Sequence, residues 1–178
     1  MKGTLFALRL VAFAVIIAGL FGLALAQDMT PVEPLALSAE PVTVTYSVGA
    51  AGPPMIDALT DGRMAFRIDA AGEASGTISG AVTARISEVT PMPSPAFHSV
   101  SVIFTIETEL GQIDGYYAGS FFLPDGSDQA TINGYGRILS VSGAYADLYL
   151  AEVFVTSTVQ FVDGRSVGES GTMIIGAY

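Results

Sequence analysis

The sequence predicts an all-β protein, about eight antiparallel strands closed into a barrel. Three observations predict it. From Val42 onward Thr, Val, Ile, Phe and Tyr dominate, and they alternate with polar residues in short runs. Gly, Asp and Pro punctuate those runs at regular intervals. No stretch beyond the N-terminus carries a sustained helical period, which favours a barrel or sandwich over a parallel α/β sheet.

The elements follow in order. "VTVTYSV", Val42 to Val48, alternates cleanly and reads as the first strand. "GAAGPPMIDALTDG" reads as a long loop with one helical turn near Ile56 to Leu59. Met64, Phe66 and Ile68 then share a face, with Arg67 and Asp69 opposite. Ile78, Val82, Ala84 and Ile86 repeat the pattern against Thr77, Thr83 and Arg85. The prolines of "TPMPSP" end that run, because Pro cannot sit in a central strand. Val100, Val102, Phe104 and Ile106 line one face of the next strand. "GYYAGSFFL" follows and is closed by the turn "PDGSD". Ala144 to Val162 is apolar on both faces and reads as one long strand, central or bent by a bulge. A tight hairpin through Asp163-Gly164 leads to the last strand, "GTMIIGAY".

Residues 1–26 read as a signal peptide. Lys2 and Arg9 precede an apolar run from Leu10 to Leu25, and Ala24-Leu25-Ala26 supplies small residues for cleavage before Gln27. Residues 27–41, rich in proline, read as an N-terminal arm, and 42–178 as the barrel domain. The expected location is therefore outside the cytoplasm, in a periplasm or secreted. There is no cysteine, so a disulfide framework and thiolate chemistry are excluded.

Of seven basic residues, two lie in the signal segment. The rest of the chain carries five Arg, no Lys and 17 acids, a net charge of −12. Such a surface repels phosphate backbones and anionic headgroups, so neither nucleic acid nor a membrane is an expected partner. The absence of Lys also removes Schiff-base and P-loop chemistry.

Candidate site residues are few. His98, the single histidine, is in phase with Val100, Val102 and Phe104. It should point inward near a strand start, as a general base, a ligand anchor at a barrel mouth, or simply a core histidine. Glu152 shares a phase with Leu148, Leu150 and Phe154. It is a buried acid if that face is interior, and a surface group if the face is outer. Tyr117 and Tyr135 belong to a cluster with Tyr116, Tyr145, Tyr149, Phe121 and Phe122 that suits either an apolar ligand or ordinary packing. Arg137 can clamp a carboxylate or pair with an acid on a neighbouring strand. One histidine without cysteine makes a zinc site a poor expectation, and the acids of "PDGSD" lack EF-hand spacing. No catalytic or metal residues are assigned, and no cofactor is expected.

"GYGRILSVSGAY", Gly134 to Tyr145, resembles the G-T-G-R-F-x-x-A-x-G run of many exported bacterial barrels, which in turn resemble the allene oxide cyclase and dirigent barrels. Gly134, Gly136, Arg137 and Gly143 match. Tyr135, Ile138 and Val141 depart from the pattern, standing where it has Thr, an aromatic and a small residue. The resemblance implies an eight-stranded antiparallel barrel with an apolar interior, often trimeric. It does not carry the cyclases' pocket residues onto this chain. The expected role is a non-enzymatic exported barrel that binds a small apolar molecule or forms a homo-oligomer. The alternatives are a cyclase- or isomerase-like enzyme acting on a lipid-derived substrate, and a small eight-stranded outer-membrane barrel.

Overall fold

The computed structural model describes residues 40–90, 97–163 and 165–176. The expected signal peptide and nearly all of the proline-rich arm lie outside the described residues, as does most of "TPMPSP".

The described chain forms one antiparallel sheet closed on itself. Its strands are β1 (Val42–Ala50), β2 (Met55–Ala58), β3 (Met64–Gly76), β4 (Gly80–Thr90), β5 (Phe97–Thr108), β6 (Gly111–Phe122), β7 (Gln129–Val141), β8 (Glu152–Val162) and β9 (Arg165–Gly176). From β3 to β9 each strand pairs with the next in sequence. Closure falls to β1, which pairs with β9 along one edge and with β3 along the other. Eight strands therefore make the wall, as the alternation predicts.

Period-2 patterning places the core. Val44, Tyr46 and Val48 point inward from β1, and Val100, Val102, Phe104 and Ile106 from β5. Val153, Val155, Val159 and Phe161 do so from β8. Their outward neighbours are mostly Thr, Ser and charged residues, such as Thr43, Thr45 and Ser47 on β1. β-branched interior residues suit a pleated wall of this kind.

Two elements differ from the sequence reading. The segment near Ile56 is not a helical turn. It is the short strand β2, which runs along the end of β3 that β1 leaves uncovered, with Met55 opposite Arg67 and Ala58 opposite Met64. An unpaired strand edge recruits whatever extended segment is at hand, and the Arg67–Asp57 ion pair at 2.8 Å ties this one on. Nor is Ala144 to Val162 one strand. Gly143–Leu148 forms a 3-10 turn, and β8 begins only at Glu152. Tyr145 and Leu148 pack against the core, and the Tyr145 hydroxyl meets Thr108 Oγ1 at 2.9 Å. That segment packs two apolar side chains against one end of the barrel, which explains its unpatterned apolar composition.

The glycine-rich β7 works as wall. Ile132, Gly134, Gly136 and Ile138 face inward, while Asn133, Tyr135 and Arg137 face outward. A Cβ on Gly134 would sit 2.7 Å from Cδ2 of the Tyr117 ring, and one on Gly136 would collide with the Tyr116 carbonyl and Tyr117 Cα. Glycine is required at both because β6 presses on β7 there and the Tyr117 ring lies over it.

Candidate functional site

Hairpins alternate between the two ends of an antiparallel barrel. The 3-10 turn packs against one end, beside an open groove of about 1000 Å³ lined by Thr77, Glu107, Leu110 and Tyr145. The other end carries β2, the β6–β7 turn around Gly126, and the β8–β9 hairpin, where Asp163 takes the left-handed conformation at φ 51°. A cavity of about 430 Å³ opens there. β3 contributes Phe66 and Ile68 to its wall, β4 Glu88 and Thr90, β5 His98, and β9 Arg165 and Ser166. Pro54, Leu123 and Asp125 complete the rim. The cavity lies where β1 has ended, since Gly49 pairs with Gly168 and nothing from β1 reaches Arg165.

The deepest polar group of this cavity is a pair. His98 Nδ1 lies 2.5 Å from Glu88 Oε1, and both side chains are buried. One hydrogen bond joins the two groups through Nδ1, and Nε2 is left over. His98 Nε2 is buried and has no hydrogen-bond partner among the described residues. The ring stacks on Phe121 at 4.6 Å between centroids, and Phe121 in turn meets Phe161 at 5.7 Å. Both partners follow from period 2: Glu88 continues the inward phase of Val82 and Ile86, and His98 that of Val100 and Val102.

A second polar group lies in the barrel proper. The Tyr46 and Tyr117 hydroxyls both donate to Glu169 Oε1, at 2.5 and 2.6 Å. Each phenol has one hydrogen, and both are spent on Glu169. The 3.3 Å approach of the two phenol oxygens is thus proximity rather than a third bond. Burial first, then the Glu169 charge, pushes both phenols above their ordinary pKa. Ser157 nearby is buried, and its hydroxyl has no hydrogen-bond partner among the described residues. The void beside these groups is about 20 Å³, room for one water molecule at most.

The sequence-derived candidates divide between two compartments. His98 faces inward at the open end, as its phase predicts. Tyr117 is interior too, but it belongs to the Glu169 group. Tyr135, Arg137 and Glu152 stand on the outer wall. The Tyr135 hydroxyl donates to Glu152 Oε1 at 2.7 Å, its ring meets Phe154 edge-on at 5.0 Å, and Arg137 lies directly opposite Glu152 in register. Glu152 is therefore not a buried acid, because the 3-10 turn breaks the phase it shares with Leu148 and Leu150. The tyrosine cluster divides likewise: Tyr116, Tyr135 and Tyr149 are exposed, Tyr117 and Phe121 interior. Exchanging Tyr135 for Phe together with Glu152 for Gln is expected to leave the urea midpoint unchanged, since that contact is solvent-exposed. A clear fall in the midpoint would reassign the outer wall a structural role.

Sequence reasoning missed Glu88, Glu169 and Arg165. A signal was present for the first two: Glu88 is in phase with Val82 and Ile86, and Glu169 with Met173 and Ile175. Among the described residues no group of three or more His, Asp or Glu side chains could hold a metal ion. Compared with known proteins, the chain matches no family model, no curated protein and no solved structure.

Proposed function

We propose that this protein is a water-exposed, non-enzymatic barrel that holds one small, partly apolar molecule in the cavity at its open end. One observation carries the reading. The barrel interior is packed down to a void of about 20 Å³, while the open end holds about 430 Å³ lined by both apolar and polar side chains. Ligand sites favour such concavities, with a few placed polar groups on an apolar wall. His98 and Glu88 supply the polar depth, and Phe66, Ile68 and Leu123 the apolar surface.

Two observations weigh against the alternatives. A cyclase-like site needs its acid, base and tyrosine in one chamber, whereas Glu152 and Tyr135 stand outside the wall and His98 inside it. A lipid-facing barrel presents apolar residues outward. Here the outward faces of β1 and β8 include Thr45, Ser47, Thr156 and Thr158. That pattern supports a barrel surrounded by water, in keeping with an exported chain.

Native mass spectrometry of protein purified without detergent tests the reading. A retained adduct is expected, and it should vanish in Ser166→Trp, which fills the cavity. An empty spectrum, with no ligand in a broad screen moving the His98 imidazole resonances, would overturn it.

A further inference from the structure

The cavity's charge pattern assigns its ligand a chemical class, an inference that rests on the reading of that cavity as a binding site. We infer that it takes a small monocarboxylate with an apolar body, the carboxylate held at the rim by Arg165 and the body seated against Phe66, Ile68 and Leu123.

Acids far outnumber arginines in this chain, so each arginine has ample opportunity to be neutralised. Arg63, Arg67 and Arg85 are each paired with an aspartate at 2.7 to 2.9 Å. Arg137 makes no ion pair among the described residues, but it stands opposite Glu152 in register on the outer wall and hydrogen-bonds with Tyr135, away from any cavity mouth. The Arg165 guanidinium, also exposed, makes no ion pair and no hydrogen bond among the described residues, although Asp125 lines the same cavity. A guanidinium left open at the mouth of a cavity, in a strongly acidic chain, is a placed receptor for an anion. Its planar fork matches a carboxylate with two parallel hydrogen bonds. Ser166, next along β9, brings a hydroxyl donor to the same rim.

The charge of the anion follows as well. Arg165 is the single arginine on the cavity wall, and Asp125 and the Glu88–His98 pair line it too. With those acids already facing one cation, each further negative charge on the ligand adds repulsion, so a singly charged anion is favoured over a doubly charged one. A phosphate dianion would leave a second charge facing those acids in a molecule already strongly negative, and like charges at such range are costly. Phe66 and Ile68 line the same cavity from β3, two strands from His98 on β5, so the body of the ligand and the ring that stacks on Phe121 share one chamber.

Three probes of one shape test the class: cyclohexanecarboxylate, cyclohexylmethanol and cyclohexylmethylamine. His98 is the only histidine, so its imidazole resonances report occupancy of the cavity without ambiguity. The carboxylate is expected to shift them and to bind at least tenfold more tightly than the alcohol. Arg165→Gln should erase that preference while leaving alcohol binding unchanged, and Arg165→Lys should retain part of it. If the alcohol or the amine binds as tightly as the carboxylate and shifts His98, the class is wrong and the cavity stands as a site. Failure of all three probes to move His98 at millimolar concentration overturns both.

Discussion

Gly136→Ala is expected to cost about 3 kcal/mol or more of unfolding free energy, at the upper end of overpacking substitutions. The reason is the pressure of β6 on β7. The added methyl would collide with the Tyr116 carbonyl and Tyr117 Cα, which are backbone and cannot rotate away. Relief requires the two strands to part, and parting them carries Tyr117 away from Glu169. Gly52→Ala is the matched control, because nothing lies within 4 Å of its Cβ position and its φ is ordinary. A change within about 0.5 kcal/mol is expected there. Urea unfolding of both variants decides the matter. A Gly136→Ala protein as stable as the control would mean that the wall tolerates slack at this point and that the glycines of β7 serve something else.

The second large effect is a loss of stability at alkaline pH. Tyr46 and Tyr117 have pKa values raised above the ordinary 10.0, chiefly by burial and next by the charge of Glu169. The folded protein therefore keeps both protons after the unfolded chain has lost its own. Their contribution is fully present below pH 10 and declines as pH rises toward the folded values. The slope is about 1.4 kcal/mol per pH unit for each tyrosine. Urea midpoints should hold from pH 9 to about pH 10 and fall from there to pH 11, and Tyr46→Phe with Tyr117→Phe should flatten the decline. Tyrosinate absorbance offers an independent reading: two of the seven tyrosines should ionise only when the protein unfolds. Glu169→Leu is expected to be destabilising at every pH, by about 2 to 4 kcal/mol, because two buried phenols lose their acceptor. Glu169→Gln keeps an acceptor and should cost less. A wild-type midpoint that is flat across pH 9 to 11 would remove the buried phenols from the account.

Much of this architecture is legible in the sequence, and the limits of legibility are physical. Strand faces could be read wherever one side is apolar and the other Thr, Ser or charged, as in "VTVTYSV" and "SVSVIFTIE", because the side-chain period of two admits one inward set. The barrel class followed from the number of such runs. β2 was not legible, since all four of its residues are exposed and its strand character comes from the free end of β3 rather than from its own pattern. The 3-10 turn is illegible for the opposite reason. Tyr145 and Leu148 are apolar because they pack against the core from one end, and packing from an end imposes no alternation. Of the site, His98 was found by phase. Its partner Glu88 was not, because an acid at an inward position reads as the end of a run until the opposing strand is known. Arg165 was invisible for a simpler reason: whether an arginine lacks a partner is a property of three-dimensional neighbours.

The pairing of β1 sets a condition on how the molecule is made. Every adjacent pair from β3 to β9 is joined by a turn or short connection, so the ladder can zip by nearest neighbours. The seam is different. Val42 lies opposite Ile175 and Gly49 opposite Gly168, which brings together the first and last strands of the domain. Such long-range closure is entropically slow relative to hairpin formation. During synthesis β1 emerges first, yet its β9 partner emerges last, so until then it has only β3 to pair with. The nascent chain is an open sheet with a waiting edge, and the barrel becomes a barrel only when its C-terminal strand arrives.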